Sequence, residues 1–206
     1  GGIWPGFALP GHTTAFLRQL FFQSFSWIDV AGDNRRFFNE TAELQLTHYK
    51  EKVRGEWIDT PHYRAGKMHM IFDEATRASN CLVTSVMTWN TVVEKYEWSE
   101  DNSKEIAQGW IARADSIEAL AKIIGRDPAS LAATVREYNA HCAAGFDPEY
   151  GRTAATLQPI AQGPFYAIEV IPAIVCTGGG ARRNIESEVL GHQGARVDRH
   201  QDAPRR

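Results

Sequence analysis

The sequence predicts an α+β fold, and two observations carry that reading. Near the middle of its 206 residues, two capped amphipathic helices follow one another across a two-residue link. On either side lie segments rich in β-branched and aromatic residues, at 26–30, 67–72 and 165–176, which read as strands. Helices gathered in one stretch and strands in others form the α+β pattern rather than strict alternation.

Taken in order, residues 1–11 are rich in Gly and Pro and read as loop. Thr13 or Thr14 caps a short helix ending at Phe22, with Phe16, Leu17, Leu20 and Phe21 on one face. Residues 26–30 form a strand, 31–34 a turn, 35–40 a second short strand and 41–54 a helix. Residues 67–72 alternate as a strand that ends at Asp73. Asp115 and Glu118 make a capping box, in which the Asp carboxylate accepts from the N–H three residues on. Ile117, Leu120, Ala121 and Ile124 then share a helix face, and Gly125 closes that helix. Asp127 caps the next helix with Pro128 in its first turn, Leu131, Val135, Tyr138 and Cys142 form its apolar stripe, and Gly145 ends it. Only Arg126 and Asp127 separate the two helices, so they must pack together. The strand Phe165–Cys176 is interrupted at Pro172, which makes one half an edge or a bulge. Residues 188–190 and 195–197 read as a hairpin, and the charged, unpatterned tail 198–206 reads as disordered.

Composition narrows the function classes. The chain is 43% hydrophobic and 23% charged, ordinary for a globular protein, and its net charge of -3 gives no electrostatic reason for a nucleic-acid partner. The longest apolar stretches are too short to span a membrane, and the first residues carry no signal-peptide pattern. Cys81, Cys142 and Cys176 are odd in number and widely spaced, which argues against a disulfide framework and places them in a reducing, cytoplasmic compartment. Neither these thiols nor His62 and His69 have metal-site spacing, so no metal is expected. The adjacent His141 and Cys142 cannot face each other on a helix and read as a surface His beside a core Cys. Asn39-Glu40-Thr41 matches the glycosylation triplet by chance, and Trp57, Trp89, Trp98 and Trp110 make the middle of the chain aromatic-rich.

Residues Trp27 to Glu40, Met70 to Arg77, Leu131 to Arg152 and Gly163 to Leu190, in that order, resemble four segments of the flavoprotein family of fumarate reductases, urocanate reductase and 3-ketosteroid dehydrogenases. Trp27-Ile28-Asp29 through Arg36-Phe37-Phe38-Asn39-Glu40 is similar to the family's W-V-D…G-R-R-F-x-N-E. Met70-Ile71-Phe72-Asp73-Glu74-Ala75-Thr76-Arg77 resembles x-I-F-D-x-x-x-R. Leu131 to Tyr138-Asn139, then Gly145-Phe146-Asp147 to Gly151-Arg152, is like L-x-x-T-V-x-x-Y-N…G-x-D-x-x-F-G-R. Gly163-Pro164-Phe165-Tyr166-Ala167-Ile168 to Thr177-Gly178-Gly179 and Glu188-Val189-Leu190 is similar to G-P-F-Y-A-I…T-x-G-G…A-x-V-L.

The resemblance implies a two-domain enzyme in which a cap, inserted in a Rossmann-like FAD-binding domain, closes over flavin and a small-molecule substrate. Residues 41–155 are then the cap, and 1–40 and 156–197 are partial FAD-binding segments. The family's glycine-rich βαβ unit is expected before this chain, since no G-x-G-x-x-G follows a strand here. Its closing I-P-x-L-Y-A-A-G-E gives way after Arg196 to Val197-Asp198-Arg199-His200-Gln201. The expectation is a piece of an FAD-dependent oxidoreductase, inactive alone, with FAD held by the complete parent. Its strand Phe165–Cys176 is expected to lack sheet neighbours and to be exposed or covered by a second copy in a homo-oligomer.

The site residues follow from the same likeness. Thr177, Gly178, Gly179 and Gly180 either offer backbone N–H groups to the flavin ring or form only a tight strand-to-loop turn. Arg182 and Arg183 meet an anionic substrate or the flavin pyrophosphate, or lie on a solvated loop. Tyr166 donates to a substrate carbonyl or belongs to the core. Where the fumarate reductases place an acidic Arg and a substrate-binding His, the matching positions are Leu44 and Val175. A substrate without fumarate's pair of carboxylates is implied. Two other readings are a non-catalytic cap-like remnant or interaction module that binds no flavin, and a metal-dependent hydrolase using the His set.

Overall fold

The longest apolar segment, Phe165–Cys176, is the central strand of the molecule. The computed structural model describes residues 2–19, 21–41, 50–59, 68–83, 93–176 and 180–191. Its strands are β1 (Gly2–Phe7), β2 (Phe16–Leu17), β3 (Trp27–Val30), β4 (Lys50–Val53), β5 (Glu56–Asp59), β6 (Met68–Asp73), β7 (Ala112–Ala114) and β8 (Phe165–Cys176). Its helices are α1 (Glu74–Ser79), α2 (Ser103–Ala107), α3 (Ile117–Ile123) and α4 (Pro128–Ala144). The main sheet runs β2-β1-β8-β6-β3, with β7 also paired to β8, and β4-β5 is a separate hairpin. All the paired strands are antiparallel. Val170 pairs with both Phe7 and Met68, so β1 and β6 flank β8 on opposite sides.

Alternation sorts the side chains onto two faces. Ile28, Val30, Ile71 and Ala167 face α3 and α4, whose Leu120, Ala121, Leu131, Val135 and Tyr138 complete one core. Trp27, Met68, Met70, Phe72, Tyr166 and Ile168 face Phe7, Phe16, Leu82, Trp98 and Ile111 in the other. The strand β6 is buried at all its residues because both faces are covered. The outer edge of β3 is capped by Arg152, which donates to the carbonyls of Trp27 at 2.8 Å and Phe25 at 2.7 Å.

Several expectations are overturned here. Residues 2–7 are a strand, not loop. Pro5 lies opposite Pro172, and the Arg18 N–H donates to the Pro5 carbonyl from the β2 side at 3.0 Å. Both prolines therefore turn their N–H-less side away from the β1–β8 ladder, where no donor is missed. Gly6 is required by closeness, since a Cβ there would sit 2.8 Å from that of Ala173. The strand β8 accordingly pairs with β6 over Phe165–Val170 and, on its other side, with β7 at Phe165–Ala167 and β1 from Val170 onward, so the expected lack of sheet neighbours is corrected. Beyond Val170 its β6 side meets no further strand among the described residues, so that half is an edge as Pro172 suggested.

The helix expected after Thr13 is absent. Phe16 enters the core while Phe21 is 71% exposed, and the Thr13 and Thr14 N–H groups donate to Glu94 at 2.9 and 2.7 Å. Residues 35–40 form no strand, because Arg36 turns inward to buried carboxylates. Of the helix expected over 41–54, residues 42–49 lie outside the described residues and 50–53 are strand. A two-residue turn with Arg54 at φ 50° and Gly55 at φ 92° fixes the β4-β5 hairpin. The α3 cap is Ser116, which accepts from the Ala119 N–H at 3.1 Å, rather than Asp115. Asp127 caps α4 by accepting from Ser130 at 2.7 Å, and Gly145 ends it at φ 68°. Residues 188–190 pair upstream with 182–184, through an Arg183–Val189 bridge and a 2.7 Å bond from Leu190 to Arg182. The expected partner 195–197 and the tail 198–206 lie outside the described residues.

Candidate functional site

The register of β6 sets His69 opposite Glu169 on β8 and Val30 on β3. His69 shares the helix-covered face with Ile71, at the end where the short α3–α4 link crosses the sheet. That link turns at Gly125, φ 70°, and carries Arg126 inward. Arg126 Nη1 donates to the Gly32 carbonyl at 2.6 Å, and Nη2 lies 2.9 Å from His69 Nδ1. His69 is only 5% exposed, and two grooves meet over it and Ile124. One, of about 520 Å³, is lined by Gly32, Asp33, Asn34, Arg126, Asp127 and Ser130. The other, of about 490 Å³, is walled by Leu9, Pro10, Trp110, Ala112 and Ile123, with Glu169 at its lining. An apolar wall beside a few convergent polar groups is the usual make-up of a small-molecule cleft.

A second cluster is structural. Arg36 binds Glu40 through two 2.7 Å bonds and Asp147 at 3.0 and 3.3 Å, between the ring faces of Tyr138 and Tyr150. These carboxylates hold its guanidinium above its ordinary range despite burial. His141, Asp147 and Glu149 present ligand atoms within 4.8 Å of one another. The Arg36 guanidinium already binds Asp147 and lies 3.7 Å from Glu149, supplying the positive charge a metal would bring. The Asn39 amide of the glycosylation triplet donates to the Gly151 carbonyl at 3.1 Å, a structural role.

Of the site residues named from sequence, the described ones divide between the two ends of β8. Tyr166 is 3% exposed and stacks on Phe72 at 5.3 Å. Its hydroxyl donates to Glu74 at 2.7 Å, and burial, with that carboxylate, pushes its pKa up. Gly180, Arg182 and Arg183 are exposed and follow the other end of β8. Cys176 is ten residues beyond Tyr166, about 33 Å at roughly 3.3 Å per residue. Thr177, Gly178, Gly179, Leu44, His62 and Trp89 lie outside the described residues, and Val175 is described only as backbone of β8. Trp98 is core and donates to Asn102 at 2.9 Å, whereas Trp110 lines the apolar groove. Burial pushes the Cys81 thiol up to about 11 and raises Cys142 as well, so neither is a ready thiolate. Sequence reasoning missed the His69–Arg126 pair. Its signals were a charged residue, Arg126, in a two-residue link and, far from it in sequence, His69 within an apolar run.

Against known families, the model of the FAD binding domain matches residues 35–198. The chain belongs to the FAD-binding domain family. It is 32% identical over 161 residues to the NADH:fumarate oxidoreductase of Klebsiella pneumoniae, covering 78% of this chain and 14% of that protein. It is 43% identical over 86 residues to the digoxin reductase of Eggerthella lenta, covering 42% of this chain and 15% of that one. The chain thus spans about one seventh of the length of these curated relatives. Among solved structures, the 3-ketosteroid delta1-dehydrogenase of Sterolibacterium denitrificans superposes with a TM-score of 0.59 at 21% identity. It covers 95% of this chain, which spans 36% of it. The open form of a flavocytochrome c3 fumarate reductase gives the same TM-score at 23% identity, covering 95% of this chain and 29% of its own. Both likenesses are of fold.

The family's cofactor finds no cradle among the described residues. Their strand pairs are all antiparallel, so none forms the βαβ unit that sets a helix N-terminus against a pyrophosphate. A Cβ built at Gly180 would meet open space, so no close approach requires glycine there. No helix among the described residues is long and apolar enough to cross a membrane.

Proposed function

We propose that this chain is the cap-bearing piece of an FAD-dependent oxidoreductase that moves a hydride between flavin and a carbon next to a carbonyl or carboxylate. The observation that carries the reading is the family match over residues 35–198, supported by 32% identity along 161 residues to an NADH:fumarate oxidoreductase. In this reading residues 41–155 are the substrate cap, and 1–40 and 156–197 belong to the FAD-binding domain. Thr177 to Gly180 face the flavin, and Arg182 and Arg183 meet an anionic group. The substrate is a small molecule other than fumarate, because Leu44 cannot donate a proton and Val175 cannot hydrogen-bond a carboxylate. A cytoplasmic setting accords with the free Cys81 and Cys142.

The test is turnover by the intact parent with a reduced dye and a panel of α,β-unsaturated acids and ketones. Reduction of an enone or acrylate-type compound supports the reading, and rapid turnover of fumarate itself sinks the substrate assignment. The second reading is a cap-like module that binds no flavin. Colour separates the two: an intact parent purified without flavin absorbance leaves only the second.

A further inference from the structure

We propose that Arg126 and His69 form an acid-sensitive latch that ties the α3–α4 link to the sheet and to the 31–34 turn. A guanidinium carries only N–H donors and keeps its proton in proteins. The 2.9 Å contact from Arg126 Nη2 to His69 Nδ1 is therefore a hydrogen bond only while Nδ1 is unprotonated. His69 is then the neutral tautomer with its proton on Nε2. A proton on Nδ1 turns the acceptor into a donor and sets two cations face to face, so the bond is lost and the guanidinium repelled.

The same guanidinium holds the Gly32 carbonyl at 2.6 Å, so one side chain joins β6, the turn and the link. Three carboxylates line the grooves that meet at the pair. Glu169 stands opposite His69 on β8, Asp33 lies in the turn, and Asp127 caps α4. Asp33 and Asp127 also accept from the N–H groups of Arg35 and Ser130, at 3.0 and 2.7 Å. Glu169 draws a protonated His69 toward β8, while Asp33 and Asp127 give the departing guanidinium an anionic rim. Both grooves are lined by His69, so opening the latch reshapes the two together.

The test is an NMR titration of the 206-residue chain, labelled with 15N and 13C, from neutral to acid pH. The expected result is an unprotonated Nδ1 at neutral pH, with the Gly32 and Arg126 backbone resonances moving at the same midpoint as the His69 ring. In His69→Asn, whose side-chain oxygen stands near the Nδ1 position and accepts at every pH, the Gly32 and Arg126 transitions disappear. Should that variant not fold, Arg126→Ala serves: the Gly32 transition must vanish while the His69 ring still titrates. A protonated Nδ1 at neutral pH, or Gly32 and Arg126 resonances that stay flat while His69 titrates, overturns the latch.

Discussion

Arg36→Met keeps most of the side chain's volume and removes its charge. The side chains of Glu40 and Asp147, which it binds, are both 0% exposed. After the change Glu40 keeps Arg152 as a countercharge, at 3.5 Å. Asp147 retains backbone N–H donors, Glu149 and Arg152 at 3.2 Å each, but no guanidinium. Removing one partner of a buried ion pair costs about 3–5 kcal/mol, because the remaining charge stays desolvated. Two carboxylates are stranded here, and Arg152 relieves part of the cost, so about 4 kcal/mol is expected. For a chain of this length each kcal/mol lowers Tm by about 2–4 °C, which gives a drop of about 8–16 °C. The assay is thermal and urea unfolding followed by far-ultraviolet circular dichroism. The substitution would take a large part of a native stability of about 5–15 kcal/mol. A loss below about 1 kcal/mol would falsify the view that this guanidinium neutralises a desolvated acidic pair.

The same cluster sets an acid limit. Burial alone pushes Asp147 up, but Arg36 beside it and the N–H groups of Arg152 and Tyr150 outweigh that and hold its carboxyl below the usual range. A folded value below the unfolded one means that its stabilisation is complete above the unfolded value of about 3.9 and is lost as pH falls through the lower one. Urea midpoints should fall below about pH 4, and less steeply in Asp147→Asn. Asp73→Ala should cost about 3 kcal/mol in urea unfolding, since its carboxylate accepts from the N–H groups of Ala75, Thr76, Ala161 and Gln162; a loss within 0.5 kcal/mol, as roughly expected of a plain surface site, refutes that role. Amide exchange should be slowest over Phe165–Val170 and faster over 171–176, where the β6 side of β8 meets no strand among the described residues. Uniform protection along β8 would contradict this. The isolated chain should not retain FAD, and stoichiometric flavin absorbance released on denaturation would refute that.

Local chemistry made much of the fold legible. The two helices of the middle were readable because their caps and stripes are written within a few residues: Asp127-Pro128, the spacing of Leu131, Val135 and Tyr138, and Gly145. The strand β6 was readable from its run of apolar residues, and β8 from its β-branched and aromatic content. The strand β1 was not, because Gly and Pro argue for loop until a partner strand is known. What rescues it is a ladder in which Pro5 meets Pro172 and Gly6 meets the close Ala173. The helix expected after Thr13 failed because pairing of Phe16 with Phe7 and burial of both rings in the core outcompeted a local stripe.

The candidate site divided in the same way. The likeness in four ordered segments named the family, because such segments are properties of the chain alone. Tyr166 and the Arg182–Arg183 pair are near in sequence, yet an extended strand carries their segments to opposite ends of β8. His69 and Arg126 are 57 residues apart in sequence, and only antiparallel pairing of β6 with β8 and packing of α3 and α4 on that sheet bring them to 2.9 Å. By itself the sequence determined the family, the helices of the middle and the central strand, since periodicity and capping act over one or two turns. Tertiary structure alone decided which edges are covered, where Arg36 finds its carboxylates and which groups share a cleft, because those depend on contacts that no local pattern encodes.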